Sequence, residues 1–482
     1  MCFSNIERLW ARTKSWEMLK KLTVLNLKGC KNLKSLPRKF EIESLKILIL
    51  SNCSKIKTIP EFGENMGHVT KLYLDGTAIT KLPTSIGNLS GLALLNVRDC
   101  KNLMTLPSTF FNMTWLKNLN LCGCSKLLKN LGSAVSVDLK GQVASSNDIF
   151  ETSKTIAFCR FQLLPFYPSS KSMGLLLSSL FGLSSLVKLN LSNCNLKEIL
   201  NDIGCLFSLK RLDLSGNNFG CLPESMAQLS NLNELIVDNC TSLQSFPKLP
   251  LNLGYIDGFG CSSLETLPDL LRPNSSFEPF LALSNCSKLS DNQGFIDLFF
   301  ATIKKSPQGL SPNYGDKGYG LLFPGSEIPE WFSHQCMGHE VNIMEPFSHL
   351  CNDWIGIAVC LVLCSLPRYQ IQSDYPICFR LITNGNPMYF TLEVSNNMVA
   401  LSDHIWLWYF LPQNFEIWIQ NNRKSLWECD AKGFRNIVVK IDNEGSSLVK
   451  KCGLRVVYKK DIEDFNGSMV QCSNSSIIPY EF

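Results

Sequence analysis

The chain has 482 residues, 45% of them hydrophobic, and 46 Lys and Arg against 41 Asp and Glu leave a formal net charge of +5. That length and apolar content can bury a large core and predict two or more domains. So small a charge gives no ground for nucleic-acid or membrane-surface binding, which needs basic residues gathered on one face. The longest uncharged apolar run, Ile355 to Cys364, is too short for a spanning helix, and the first residues hold no apolar stretch of signal-peptide length. A soluble protein is expected.

In chain order, Ile6 and Leu9 come first, with the spacing that closes a repeat and Trp10 where proline stands later. No polar cap precedes them, although a solenoid end needs one. On this reading the chain is the C-terminal portion of a longer architecture, or a truncated gene copy. From Leu22 to Pro37 runs L-x-x-L-x-L-x-x-C-x-x-L-x-x-L-P, the spacing of a leucine-rich repeat. Leu25 and Leu27 fall on one face of a strand while Val24, Asn26 and Lys28 fall on the other. Leu33 and Leu36 close the interior, and Pro37 ends the ladder.

One unit cannot bury its own leucines, so stacked units sharing a continuous core are predicted, with a parallel sheet on the concave side. Equivalents of Leu27 recur at Leu50, Leu74, Val97, Leu121, Leu139, Leu191, Leu214, Val237, Gly258 and Leu283, a step of about 23 residues. The irregular steps around Leu139 together span about three repeats. Residues 132–180 are therefore expected to be degenerate or looped-out repeats. The closing proline recurs at Pro60, Pro83, Pro107, Pro223, Pro247 and Pro268.

Cysteine numbers 21, an odd count. Cys30, Cys53, Cys100, Cys124, Cys194, Cys240, Cys261 and Cys286 share one place in the repeat, which Asn217 takes in another unit. A small buried group that satisfies the turn accounts for this recurrence better than disulfides or a metal. No paired C-x-x-C motif has zinc spacing, and reduced cytosolic thiols are expected.

After Ser290 the period ends. Phe295, Leu298, Phe299 and Ile303 recur at helical spacing between Asp291 and Lys305, and Ser306 to Gly320 reads as a connection. From Leu321, aromatic and β-branched runs alternate with turns: Trp354 to Cys364, Ile377 to Thr383, Met388 to Val394, His404 to Phe410, Asn436 to Ile441 and Leu454 to Tyr458. The pattern predicts an all-β sandwich of about eight strands. The fold class is thus an α/β leucine-rich-repeat solenoid followed by an all-β jelly-roll-like sandwich. Residues 1–290 form the solenoid, 291–320 a helix and linker, 321–465 the sandwich and 466–482 a polar tail.

The stretch Phe323-Pro324-Gly325-Ser326-Glu327-Ile328-Pro329-Glu330-Trp331-Phe332-Ser333-His334-Gln335 resembles the opening of the post-repeat jelly-roll domain, C-JID, of plant intracellular immune receptors. These receptors also carry a TIR domain, a nucleotide-binding module and leucine-rich repeats. Trp354 to Cys360, then Asp403 and His404 with Trp406 and Tyr409, then Val449 to Tyr458 with Cys452 and Gly453, resemble the same domain in order. The resemblance implies pathogen sensing. Repeats and sandwich recognise a pathogen effector or a guarded host protein, the nucleotide-binding module is released, and a TIR domain cleaves NAD. No G-x-x-x-x-G-K-[ST] phosphate loop occurs here and there is no room for a TIR domain before Ile6, so that activity does not carry over.

Enzymatic alternatives are weak. His334 and His339 lack the helical spacing of a zinc pair. Ser402, Asp403 and His404 are consecutive, so on a strand they cannot converge on one proton relay. Glu327 and Glu330 have no partner base. No catalytic, cofactor or metal residue is expected.

Protein binding has a better basis. Outward strand positions form ladders that mix aromatics and arginine, the residues that anchor interfaces, with small polar groups. The candidates are Lys71, Tyr73, Asp75, Asn96, Arg98, Asn190, Arg211, Asp213, Glu234, Asp238, Tyr255 and Phe259. The expected partners are an effector or guarded host protein and the nucleotide-binding and TIR domains of a parent receptor, with no nucleic acid and no membrane, in the cytoplasm and also the nucleus. The rivals are an extracellular repeat receptor or inhibitor, an enzyme housed in the sandwich, and a truncated adaptor, decoy or inert copy.

Overall fold

The computed structural model describes residues 21–130, 182–199, 201–267, 280–289, 292–305, 319–346, 354–364, 377–383, 386–392, 402–411, 434–441 and 449–461. The readings made on the half repeat at Ile6 and Leu9, on 132–180, on Pro268, on most of the linker and on the tail 466–482 lie outside these residues. The chain divides into two compact units, Met1–Leu206 and Phe207–Phe482.

In the first unit the strands are β1 (Val24–Asn26), β2 (Lys39–Phe40), β3 (Ile47–Ile49), β4 (Glu61–Phe62), β5 (Lys71–Tyr73), β6 (Leu94–Asn96), β7 (Asn118–Asn120) and β8 (Lys188–Asn190). One per repeat joins a parallel sheet in the order β1-β3-β5-β6-β7-β8, and β2 pairs with β4 on its own. The register runs Asn26, Ile49, Tyr73, Asn96, Asn120, Asn190, as the ruler predicts. Inward leucines such as Leu48, Leu50, Leu72 and Leu74 are fully buried.

The strands are short because each meets a left-handed residue at once: Gly29, Asn52, Gly76, Asp99, Gly123 and Asn193 have φ of 75°, 61°, 67°, 56°, 74° and 54°. Only Gly, Asn and Asp enter this region readily. The next turn holds the repeat cysteine, whose thiol donates to the carbonyl of the ruler residue one repeat back. Cys53 reaches Leu27 O at 3.0 Å, Cys100 Leu74 O at 3.2 Å, Cys124 Val97 O at 3.1 Å and Cys194 Leu121 O at 3.2 Å. Thr77 also holds this place, but its hydroxyl donates within its own repeat, to Leu74 O at 2.7 Å, an equivalent that the cysteine pattern alone does not reveal. Pro83 and Pro107 cap short 3-10 turns, Thr84–Asn88 and Ser108–Asn112, which bury Ile86 and Phe110. A short helix, α1 (Ser125–Asn130), follows β7.

Leu119 of β7 pairs directly with Leu189 of β8, which sets the rungs of Leu121 and Leu191 side by side in the sheet; Leu139, which the count put between them, lies outside the described residues.

The second unit continues with β9 (Arg211–Asp213), β10 (Glu234–Ile236), β11 (Tyr255–Asp257) and β12 (Phe280–Ala282), then helix α2 (Asn292–Lys305). After these come β13 (Tyr319–Pro324), β14 (His334–Met337), β15 (Glu340–Pro346), β16 (Trp354–Leu363), β17 (Ile377–Thr383), β18 (Asn386–Leu392), β19 (His404–Phe410), β20 (Phe434–Ile441) and β21 (Val449–Tyr458). Parallel strands β9 to β12 lead into β13, where pairing turns antiparallel through β19, β16, β21 and β14. A second antiparallel sheet has the order β15-β20-β17-β18. The repeat sheet and the first antiparallel sheet are therefore one sheet within this unit.

Both antiparallel sheets feed one core. Val341, Ile343, Ile437 and Val439 from the smaller sheet cluster with Leu322, Val359, Leu361, Trp406, Trp408 and Leu454 from the larger. The uninterrupted apolar run of β16 fits its position between β19 and β21. Helix α2 buries Phe295, Leu298, Phe299 and Ile303, the four positions that its period predicts. Phe295 stacks on Phe323 of β13 with ring centroids 4.1 Å apart.

Several boundaries differ from expectation. Tyr319 and Gly320 open β13 instead of ending a connection, and β14 and β15 lie outside the six runs singled out as examples. β18 starts at Asn386, ahead of Pro387, where the run was expected to start at Met388. β18 is an edge strand, and there a proline loses no ladder bond.

Candidate protein-interaction surface

In the first unit the candidate side chains lie on the solvent face of the parallel sheet. Lys71 and Arg98 are exposed, and Tyr73, Asp75, Asn96 and Asn190 are half-buried. Neighbouring rungs are cross-linked. Asp75 accepts from Ser51 Oγ at 2.7 Å and from Asn96 Nδ2 at 3.1 Å, while Asn96 Oδ1 accepts the Arg98 N–H at 3.1 Å. Arg98 extends to Asp99 at 3.2 Å. Tyr73 pairs in register with Asn96, so Tyr73, Asp75, Asn96 and Arg98 form one contiguous group, while Asn190 pairs with Asn120 farther along.

In the second unit Arg211 is exposed and forms an ion pair with Glu234 on the next strand, and Glu234 pairs in register with Tyr255. The Tyr255 ring stacks on Phe280 at 5.5 Å, and Phe280 meets Trp408 of β19 at 5.6 Å. Gly320 lies beneath that contact: a Cβ there would sit 2.6 Å from Phe280 Cε2 and 2.9 Å from Trp408 Cε3. An aromatic row thus runs from the repeat surface into the antiparallel core.

One row further on, Asp213 accepts from Ser215 at 2.7 Å, Tyr255 donates its hydroxyl to Asp257 Oδ2 at 3.0 Å, and Asp238 Oδ1 accepts the Phe259 N–H at 3.2 Å. Burial, with Asp257 beside it, pushes the Asp238 carboxyl up to about 8. Burial also raises Asp257. Asp257 joins the surface although the candidates omitted it. The signal was its ladder place, beside Ile236 and two strands from Asp213 in the same row.

The post-repeat motif residues are packed into one knot. Phe323 is buried, Pro324 pairs with His404, and Gly325 N–H donates to Asp403 O at 3.0 Å. Glu327 takes Lys451 at 2.5 Å, and Asp403 takes Lys450 at 2.7 Å. The Trp331 ring lies under the Arg455 guanidinium at 4.7 Å, its carbonyl accepts from Arg455 at 2.6 Å, and Asp461 holds the other arm of that guanidinium at 2.6 Å. Ile328 and Phe332 close over Gly453, where a Cβ would lie 2.9 Å from Ile328. Cys452 is buried beside them, Pro329 O accepts from Gln335 at 3.3 Å, and Ser326 is exposed in the turn.

His404 is buried, and its Nε2 accepts the Asn285 N–H at 2.9 Å while Nδ1 lies 2.8 Å from Ser402 O. Burial lowers its pKa. Ser402 contributes only its carbonyl and Asp403 turns to Lys450, so the three residues form no proton relay. Among the described residues no group of His, Cys, Asp and Glu is arranged to hold a metal, and no helix is long and apolar enough to cross a membrane.

These features define a leucine-rich-repeat scaffold continued by a β domain. Family models match the C-JID domain at residues 323–463, the leucine-rich repeats of RPS4B-like disease resistance proteins at 41–163, and leucine-rich-repeat units at 185–206 and 208–229. The disease resistance-like protein DSC1 of Arabidopsis thaliana is 36% identical over 443 residues, 82% of this chain and 35% of that protein. The disease resistance protein RPS4B of Arabidopsis thaliana is 30% identical over 511 residues, 95% of this chain and 38% of that protein. Among solved structures, the leucine-rich repeat domain of the type III effector XCV3220 (XopL) aligns with 59% of this chain and 76% of its own at 18% identity and a TM-score of 0.33. The chain belongs to the plant disease resistance proteins and carries their repeats and C-JID domain. It spans about a third of the length of the curated relatives it matches.

Proposed function

We propose that this chain is the recognition region of a plant intracellular immune receptor, and that it binds a pathogen effector protein or a guarded host protein through the outward rungs of its repeats. The observation that carries the reading is that the outward rungs of each unit set exposed basic side chains beside a half-buried tyrosine amid small polar groups: Lys71 and Arg98 with Tyr73 in the first, Arg211 with Tyr255 in the second. Arginines tied into ion pairs and half-buried aromatic side chains lose little freedom on binding, so they anchor interfaces. In this reading residues 1–290 are the solenoid and 321–465 the jelly-roll-like sandwich, joined through the helix within 291–320. The core common to the two antiparallel sheets supports that architecture.

The nucleotide-binding and TIR domains of a parent receptor are the proposed intramolecular partners, and NAD cleavage belongs to that TIR domain and not to these residues. The proposed location is the cytoplasm, with the nucleus as a second compartment. The test is proximity labelling in pathogen-challenged plant tissue, comparing the parent receptor with its Tyr73→Ala/Arg98→Ala/Arg211→Ala form. Loss of a labelled protein set at unchanged receptor abundance is expected. An identical labelled set in both forms would remove the ladder residues from the recognition surface.

A further inference from the structure

Cys336 and Cys452 face each other across β14 and β21 as a register pair, with their Sγ atoms 3.2 Å apart. Directly opposed residues in an antiparallel pair have Cα atoms about 4.5–5.5 Å apart, within the roughly 4.4–6.8 Å that disulfides span. An S–S bond therefore needs side-chain rotation and not strand movement. Cys336 is half-buried and Cys452 is buried, so one sulfur is open to a small solute and the other waits beneath it. β14 is the terminal strand of its sheet.

The repeat thiols differ. Cys261 and Cys286 are fully buried and donate to Val237 O and Gly258 O, with no access for an oxidant. Cys360 is buried as well, on the strand beyond β21.

We propose that Cys336 and Cys452 form a reversible redox modification site, in which a peroxide converts the two thiols to a disulfide that fastens β14 onto β21. Cys336 Sγ attacks one peroxide oxygen, the O–O bond breaks, and one water leaves, giving a sulfenic acid. Cys452 Sγ then attacks that sulfur, the S–O bond breaks, and hydroxide leaves with the thiol proton as a second water. Two electrons pass from the thiol pair to hydrogen peroxide, and a dithiol reductant returns them. Burial raises the Cys452 thiol and keeps it protonated, so the first oxidation falls on Cys336. Cys336 gives up its hydrogen bond to Glu340 O, 2.6 Å away. In a reducing compartment a bond of this kind is transient and responds to the local peroxide level. Once formed, it closes a span of 116 residues and ties the entry to the smaller sheet to the larger one.

The experiment treats the native chain with graded hydrogen peroxide, blocks remaining thiols with N-ethylmaleimide, and maps disulfides by non-reducing digestion and mass spectrometry. A linked peptide pair containing Cys336 and Cys452, two hydrogens lighter than its parts and abolished by dithiothreitol, is expected at doses that leave Cys261, Cys286 and Cys360 as thiols. The non-reducing melting temperature should rise by roughly 5 °C, and Cys336→Ser should lose both effects. Recovery of Cys336 and Cys452 as alkylated thiols at doses that oxidise the exposed Cys221 overturns the proposal, as does a Cys452–Cys360 or interchain link. If Cys336→Ser does not fold, the peptide map of the unaltered chain decides alone.

Discussion

His404→Leu removes one acceptor and one titrating group from the junction between the last repeat and the antiparallel sheet. In the native fold Nε2 accepts the Asn285 N–H at 2.9 Å, and Nδ1–H donates to Ser402 O at 2.8 Å. These two bonds require the neutral ring, since protonation would set N–H against N–H. Leucine keeps the volume but leaves the Asn285 N–H without this acceptor, at a cost of about 1–3 kcal/mol.

The pH dependence has a definite sign. Burial places the folded pKa below the ordinary 6.5. As pH falls through about 6.5 the unfolded chain takes up a proton that the folded chain refuses, so the stability from His404 is full above that pH and declines below it. The slope is at most about 1.4 kcal/mol per pH unit. Urea unfolding followed by tryptophan fluorescence at pH 7.5 and pH 5.5 should therefore show the variant less stable at pH 7.5 by about 2 kcal/mol. The gap should narrow by about 1 kcal/mol at pH 5.5. A gap equal at both pH values would show that His404 is not held neutral by burial, and no gap at either would show that the Asn285 contact contributes nothing.

Asp238→Asn should act in the opposite sense. A carboxyl raised to about 8 keeps a proton that the unfolded chain has released, so native stability falls as pH climbs from about 4 to 8, and the variant should exceed the native chain at pH 8 by on the order of 1 kcal/mol or more. Equal urea midpoints at pH 8 would contradict the raised carboxyl. Phe295→Ala empties a fully buried site stacked on Phe323 and should lower unfolding free energy by about 3–5 kcal/mol; a loss below about 1 kcal/mol would mean that α2 is only loosely docked. Ellman's reagent should modify exposed Cys221 in the native protein while buried Cys53, Cys100 and Cys240 react only in urea, burial having pushed Cys240 up to about 12; native modification of Cys240 at the Cys221 rate would contradict the turn role of the repeat thiols.

The ladder register was readable because the repeat imposes it: once Leu27 aligns with Leu50 and Leu74, Asn26, Ile49 and Tyr73 must be neighbours, and they pair in that order. The four buried positions of α2 followed from helical period in the same way. What period cannot carry is contact between distant segments. Asn285 meets His404 across 119 residues, and Cys336 meets Cys452 across 116. The motif from Phe323 to Gln335 stood out in the sequence, but its reason did not, because Lys450, Lys451 and Arg455, which hold Asp403, Glu327 and Trp331, lie over a hundred residues later or on another strand. The turn chemistry also went unread. Asn52 and Asp99 alternate with Gly76 and Gly123, and a Cβ on Gly123 would stand 2.6 Å from Asp99 Oδ1, so a carboxylate or amide on one turn fills the space that glycine leaves on the next.

A stack of repeats gains stability only from nearest neighbours, so its last member ordinarily frays and presents a bare strand edge to solvent. Here Leu281 and Ala282 of β12 are bonded in register to Leu321 and Leu322 of β13. The final repeat can therefore open only by pulling apart a sheet whose far strands enclose Trp406 and Trp408. Amide exchange should slow, and not quicken, from β10 toward β12, so that the two halves of this unit melt as a single cooperative body. A chain ending after Leu289 would turn β12 into an open edge and make aggregation its dominant failure.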